Sequence, residues 1–432
     1  MAWDGWWEYA GQEFVNAQRT ETYARAAGAS WFRGCISSDD LGPIKGERYV
    51  SPWQDPAPWS DPDYPESYEF WGCYPLGITG VEDSTRVGDV VESVMDGGTV
   101  NRLRHATRAV VFNCLLVGAS EAACEYGSRW LRRLLLGAAC GVSSTESCAG
   151  ANLCYLSSEP CVCWDLPGDE FECLDRLQRT LYRVIFNNGP TVAAKQPMTD
   201  GGQAWTVQFT GVAANPWEFT LPTPIVEGFG QVAQPYVSEP IGTVNMNGPI
   251  VDDTSCLTPI YQPVMDPSCP AVIPPPTVPQ NVPIGCYTPP ANWRRRQFTI
   301  PKEHIPLWMD AVPVIEIHAP TSASVRNIRL RFYADIDGDG DITDDICAYC
   351  GDIVVSYIPA GQTLVFDGAE QEVYVEAPTG IRRRADALVF ATDGTPFTWP
   401  VLSCGFGYVV TVDLPQTATP PPVDLSLINR AA

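Results

Sequence analysis

The sequence predicts a mainly β protein with one prominent α-helix, built from β-sandwich-like domains. Three observations predict it. The 40 Pro and 36 Gly among 432 residues would interrupt helices repeatedly, since Pro lacks the amide a helix needs and Gly surrenders more chain entropy. Short segments alternate apolar and polar residues with period two, the pattern of strands that bury one face. A helical face is found in one segment, residues 121–136.

Length and charge bound the rest. A chain of 432 residues exceeds one ordinary core and predicts two or three domains. The formal net charge of -24, from 51 acidic and 27 basic residues, repels phosphate backbones, so no nucleic-acid partner is expected. The opening Met1-Ala2-Trp3-Asp4-Gly5-Trp6-Trp7 lacks the basic start and apolar core of a secretory leader. No apolar run reaches the ~18 residues of a membrane span. Synthesis in a cytosol, without membrane insertion, is the expectation. The 16 Cys fit a cytosolic chain poorly, because disulfides persist in oxidising surroundings. A component of a particle released by lysis reconciles the two; free thiols and zinc sites are the alternatives.

Taken in order, residues 1–80 are rich in Trp, Tyr, Pro and Asp, as in Ser51–Trp53, Asp55–Trp59 and Asp61–Tyr64. They predict ordered loop with short strands, since so many aromatics need burial. Arg108–Val117 reads as a buried strand. Ser120 offers an N-cap to a helix from Glu121 to Leu136, with Ala123, Gly127, Trp130, Leu131 and Leu134 on one face. Glu121 and Glu125 early, and Arg129, Arg132 and Arg133 late, suit the helix dipole, and Gly137 ends the helix. Leu181–Ile185 predicts a strand, with a turn at Asn187-Asn188-Gly189-Pro190. Trp205, Val207 and Phe209 alternate with Thr206, Gln208 and Thr210, a half-buried strand.

Residues 221–292 are Pro-rich, with Cys256, Cys269 and Cys286, and predict an extended connector between a first domain, 1–220, and a sandwich over 293–416. In that sandwich Ile328, Leu330 and Phe332 alternate with Asn327, Arg329 and Arg331. Val373 and Val375 alternate with Glu372, Tyr374 and Glu376, and Phe406, Tyr408, Val410 and Val412 continue the pattern. Asp367-Gly368 after Thr363–Phe366 signals a hairpin. The Pro-rich end, 417–432, predicts an extended arm.

Among residues that carry chemistry, Asp335, Asp337, Asp339 and Asp341 alternate, with Gly340 in sixth place. That is how an oxygen-ligand loop brings carboxylates onto one calcium ion. Ile346 stands where a bidentate carboxylate would close the loop, so a solvated acidic hairpin tip is the competing reading. Cys140, Cys148, Cys154, Cys161, Cys163 and Cys173 crowd one region, and Cys347-Ala-Tyr-Cys350 has zinc-ligand spacing without a second pair. Disulfides across loops are the expected use. With His105, His304 and His318 as the full set of His, and no nucleophile elbow or His-Glu-x-x-His helix, no enzyme is expected; His318 reads as a structural residue of the strand Val314–His318. Carboxylate pairs suited to glycoside hydrolysis are too common by chance to count. The short clusters Arg294–Arg296 and Arg382–Arg384 read as docking points for acidic surfaces, within the chain or on a neighbour.

The ensemble of these features resembles the minor tail proteins of actinobacteriophages, of the distal tail protein type. The resemblance is carried by Trp6-Trp7-Glu8-Tyr9, Arg19–Ala24, Tyr74-Pro75-Leu76, Gly80–Arg86, Arg104-His105, Glu125-Tyr126-Gly127, Arg129–Arg132, Leu153–Leu156, Arg329–Tyr333, Asp367-Gly368, Trp399-Pro400 and Ser403-Cys404-Gly405. It implies a ring-forming N-terminal domain, commonly hexameric, at the end of a siphophage tail tube, and a galectin-like β-sandwich at the C-terminus. The implied partners are copies of the chain itself, tail-tube and tail-associated hub proteins, and a tape measure protein. The implied place is the virion tail tip, or baseplate, after synthesis in the host cytoplasm. A glycan- or receptor-binding role of the C-terminal sandwich, through residues such as Trp399, is the alternative.

Overall fold

The computed structural model describes residues 2–29, 48–83, 85–88, 90–92, 98–100, 104–136, 150–160, 170–198, 201–229, 293–335, 338, 340, 349–392, 394–415 and 421–431. The protein is mainly β and sandwich-like, as its alternation predicts. The chain divides into two compact units, Met1–Leu221 with Ala432, and Pro222–Ala431.

The first unit runs β1 (Trp3–Tyr9), β2 (Gln12–Asn16), α1 (Ala17–Ala26), α2 (Glu66–Glu69), β3 (Phe70–Thr79), β4 (Arg86–Val87), β5 (Val90–Glu92), β6 (Gly98–Val100), β7 (Arg104–His105), β8 (Arg108–Gly118), α3 (Glu121–Leu135), β9 (Ala151–Leu156), α4 (Glu170–Leu177), β10 (Gln178–Pro197), β11 (Gln203–Ala213) and β12 (Glu218–Phe219). Its main sheet is antiparallel, in the order β2-β1-β9-β10-β11-β8-β3. The two ends of this path face each other. Trp7 of β1 stacks on Tyr155 of β9 at 4.7 Å and meets Phe112 of β8 edge-on at 5.1 Å. Phe14 of β2 also reaches Phe112, which stacks on Phe209 at 4.9 Å. Burying each such ring is worth about 1.5–3 kcal/mol against leaving it wet, so the aromatics dominate this core.

Helix α3 forms where its sequence placed it. Ser120 Oγ accepts from the Ala123 amide at 3.2 Å, and Ala123, Cys124, Gly127, Leu131 and Leu135 face the core. Gly127 is there because Phe70 is: a Cβ at that position would sit 2.3 Å from the Phe70 ring. Three expectations are corrected. In the described part of residues 1–80 the strands β1, β2 and β3 stand beside loop at 48–65, but α1, which sequence periodicity does not predict, buries Gln18, Arg19, Thr20 and Glu21 with Tyr23 and Ala24. Apolar spacing could not find a helix whose buried face is largely polar. The second correction is the turn expected at Asn187–Pro190. It is absorbed into β10, with the register slipping between Phe186 and Asn188 and again between Asn188 and Thr191; such irregularity accommodates Pro190, which has no amide to offer the ladder.

The second unit runs β13 (Thr223–Phe229), β14 (Trp293–Ile300), β15 (Asp310–His318), β16 (Val325–Asp335), β17 (Tyr349–Ile358), β18 (Thr363–Asp367), β19 (Glu372–Glu376), β20 (Arg382–Arg384), β21 (Val389–Phe390), β22 (Leu402–Ser403), β23 (Gly407–Pro415) and β24 (Val423–Ala431). One sheet has the order β13-β24-β15-β18-β19-β20, with β22 also on β15; the other has β14-β23-β16-β17-β21. Ile315, Ile317, Leu364, Phe366, Val375 and Leu425 of the first share one core with Ile328, Leu330, Phe332, Ile353, Val410 and Val412 of the second. Two antiparallel sheets packed face to face make a sandwich.

Here lies the third correction. The end of the chain, expected as an arm, supplies β24, an interior strand paired in register with β15 from Val423↔Ile317 to Arg430↔Asp310. Val423, Leu425 and Leu427 alternate inward, a signal that the preceding prolines obscured. The expected connector likewise begins with a strand, β13, paired with β24; residues 230–292 lie outside the described residues.

Candidate functional site

The outward face of the sheet that holds β15, β24 and β18 carries a group of ionisable side chains that could act together. Since Ile315 and Ile317 point into the core, Glu316 and His318 must point away from it. Register sets their neighbours: Asp424 on β24 lies opposite Glu316, and Thr363 on β18 lies opposite His318. Glu376 and Arg382 extend the His318–Thr363 row across β19 and β20.

The His318 ring is held from both sides. Its Nδ1 lies 2.9 Å from Thr363 Oγ1, and its Nε2 lies 2.9 Å from Asp424 Oδ2. Glu316 Oε2 approaches the same Nε2 at 3.9 Å. His318 and Asp424 are about one-third exposed, at 34% and 35%, and Glu316 somewhat more, at 44%. Nearby Tyr374 is pushed up to about 12, mainly by burial, then by the negative charges of Asp367, Glu376 and Glu316, against the opposing effect of Arg382. Arg382 itself is paired with Glu376 Oε2 at 2.9 Å.

A hydroxyl, an imidazole and a carboxylate in sequence also form the outline of a nucleophilic relay. What such a relay needs is a set of amide donors for a developing oxyanion. Strand β18 is paired on both edges, with β15 and with β19, so its amides are committed to ladders. Glu316, His318 and Asp424 each offer one ligand atom, and these atoms all lie within 4.8 Å of one another.

The sites singled out in the sequence fall elsewhere. Asp335 ends β16 and is buried; its Oδ1 accepts from the amides of Gly338 at 2.9 Å and Gly340 at 3.4 Å. Asp337, Asp339 and Asp341 lie outside the described residues. So do Cys140, Cys148, Cys161, Cys163 and Cys347. Cys173 is disulfide-bonded. Cys73, Cys114 and Cys124 are buried free thiols, and burial raises the thiol pKa of Cys114 and takes Cys124 to about 12. Trp399 is half-buried against the sandwich core, its ring 4.8 Å from Phe397. Of the basic clusters, Arg382 and Arg384 pair with Glu376 and Asp386 within the chain. His105 contacts Thr85 Oγ1 at 2.9 Å and the Trp217 ring at 4.5 Å, a structural setting. The His318 group escaped the sequence reading because Asp424 is 106 residues distant; the Glu-x-His spacing of residues 316–318 in an alternating strand was the signal available.

Among the described residues, no helix is long and apolar enough to cross a membrane. No family model matches the chain, and no curated protein matches it. Among solved structures, it is similar to the crystal structure of SPP1 Dit (gp 19.1), described as a paradigm of the hub adsorption apparatus in phages that infect Gram-positive bacteria. The TM-score is 0.37 and the identity 10%, over 83% of this chain and 92% of that one. A fructofuranosidase of Schwanniomyces occidentalis, complexed with fructosylnystose, gives a TM-score of 0.15 and 9% identity over 80% of this chain and 59% of that one. Neither likeness reaches the level at which a shared function follows.

Proposed function

We propose that the protein is a structural subunit of a phage tail tip, joining tail tube to hub as a ring, most simply a hexamer, without catalysis of its own. The observation that supports an assembly role is the placing of large apolar side chains outside two otherwise closed cores. Leu307 is 83% exposed and Trp308 68% exposed in the second unit, and Trp53 is 68% exposed in the first. Aromatic side chains left in water are the usual raw material of subunit contacts.

The kind of assembly rests on the sequence resemblance, and the positions that carry it include scaffold positions in both units. Trp7, Tyr9, Tyr23, Leu131, Tyr155, Leu330 and Phe332 are all buried. A likeness that includes core positions supports a shared architecture, and with it the ring and the galectin-like sandwich. Glycan binding through Trp399 is disfavoured by that ring's packing on Phe397 and the core.

Antibodies raised against the chain and viewed on phage particles by electron microscopy test the reading. Label at the distal end of the tail is expected; label confined to the capsid, or absent from particles that contain every other tail protein, would overturn it.

A further inference from the structure

We infer that Glu316, His318 and Asp424 form a binding site for a borderline divalent metal ion of the zinc class, on the outer face of the second unit's sheet that holds β15 and β24. The present separations, 2.9 Å from His318 Nε2 to Asp424 Oδ2 and 3.9 Å to Glu316 Oε2, bracket what one ion demands. Ligands held at about 2.0–2.2 Å from a common zinc stand roughly 3–3.5 Å apart in a tetrahedron. All three donor atoms lie within 4.8 Å of one another.

Two further features favour an ion over a bare His–Asp hydrogen bond. Glu316, two residues from His318 on the same strand face and opposite Asp424, brings a second carboxylate to 3.9 Å from Nε2. A dication offsets the two carboxylates that register forces side by side, in a chain already carrying a net charge of -24. Thr363 supplies the outer contact that metal-bound His characteristically has. With the ion on Nε2, the proton moves to Nδ1 and is donated to Thr363 Oγ1; without it, Nε2–H donates to Asp424 and the Thr363 hydroxyl donates to Nδ1. One hydroxyl serves both states because it is donor and acceptor.

The ligand set also selects the ion. Calcium and magnesium prefer all-oxygen shells, whereas an imidazole with two carboxylates suits zinc and its neighbours. The partial exposure of the three side chains leaves room for water to complete the shell. Both ligand-bearing strands are interior to the sheet, so the positions of the donors are fixed by ladders on either side.

The chain's many Cys would confuse a simple titration with zinc, but its three His permit a site-specific one. Deuterium exchange at imidazole C2, followed peptide by peptide in the full-length protein by mass spectrometry, requires a protonated ring and is slowed when a metal occupies a ring nitrogen. Zinc chloride is expected to slow exchange at His318 severalfold and to leave His105 and His304 unchanged. The zinc concentration needed should rise at least tenfold in Asp424→Asn and in Glu316→Gln, and about 10–100-fold in Thr363→Val, which removes only the outer contact. Exchange at His318 that is insensitive to millimolar zinc, or equally sensitive in wild type and Asp424→Asn, would overturn the site. Zinc taken up by thiols elsewhere leaves the His318 rate untouched and counts against it.

Discussion

Arg329 and Asp413 face each other across β16 and β23, with Arg329 Nε and Nη2 donating to Asp413 Oδ2 at 3.1 and 2.8 Å. Both side chains are almost wholly buried. Stranding one member of such a pair leaves an uncompensated charge in a low-dielectric interior. Asp413→Ala is therefore expected to cost about 3–5 kcal/mol in a denaturant titration, while Arg329→Met with Asp413→Leu should recover most of the loss. The buried thiol of Cys124 gives a second test. Its pKa is raised from 9.0 to about 12, chiefly by burial and then by Glu121, with Lys195 opposing. Below pH 9 both folded and unfolded states hold the neutral thiol, and the stabilisation is complete. Above it the unfolded state ionises first, so stability falls progressively up to pH 12. Urea midpoints measured between about pH 8 and about pH 11 should drop less in Cys124→Ala than in wild type; equal slopes would remove Cys124 as a cause.

At the scale of elements, α3 shows how packing can reverse a local preference. Replacing Gly by Ala in a helix interior ordinarily gains about 1 kcal/mol. At Gly127 the new methyl would meet the Phe70 ring at 2.3 Å, and overpacking costs about 1–3 kcal/mol. Gly127→Ala is expected to lower the thermal midpoint, whereas relief of the same contact in Gly127→Ala with Phe70→Leu should recover part of it. Ser120→Ala should cost about 1 kcal/mol by removing the cap on Ala123.

How far each element could be read from the sequence follows the same physics. Helix α3 and strands β8, β11, β16, β19 and β23 were legible because each buries apolar residues at its own period. Helix α1 was not, since Arg19 is buried by pairing with Glu13 at 2.9 Å and not by being apolar. The signal it did offer was Asn16, whose side chain caps the Arg19 amide at 2.9 Å. Strand β24 was hidden behind Pro420–Pro422, although its Val-Asp-Leu-Ser-Leu alternation was in plain view.

At the scale of the whole molecule, the His318 group depends on long-range register. Sequence places Glu316 and His318 on one face of one strand; only the pairing of β15 with β24 and β18 brings Asp424 and Thr363 to them. Architecture was more readily legible than chemistry, because cores repeat a pattern while sites join distant positions. The tail-tip role proposed above requires association. Leu307 and Trp308 stand largely exposed, while exposed Trp53 stacks on Tyr68 at 4.4 Å. The most direct measurement is the native mass of the purified full-length protein over a wide concentration range. A discrete closed oligomer, six times the chain mass, is the result predicted; a single-chain mass at every concentration would contradict it.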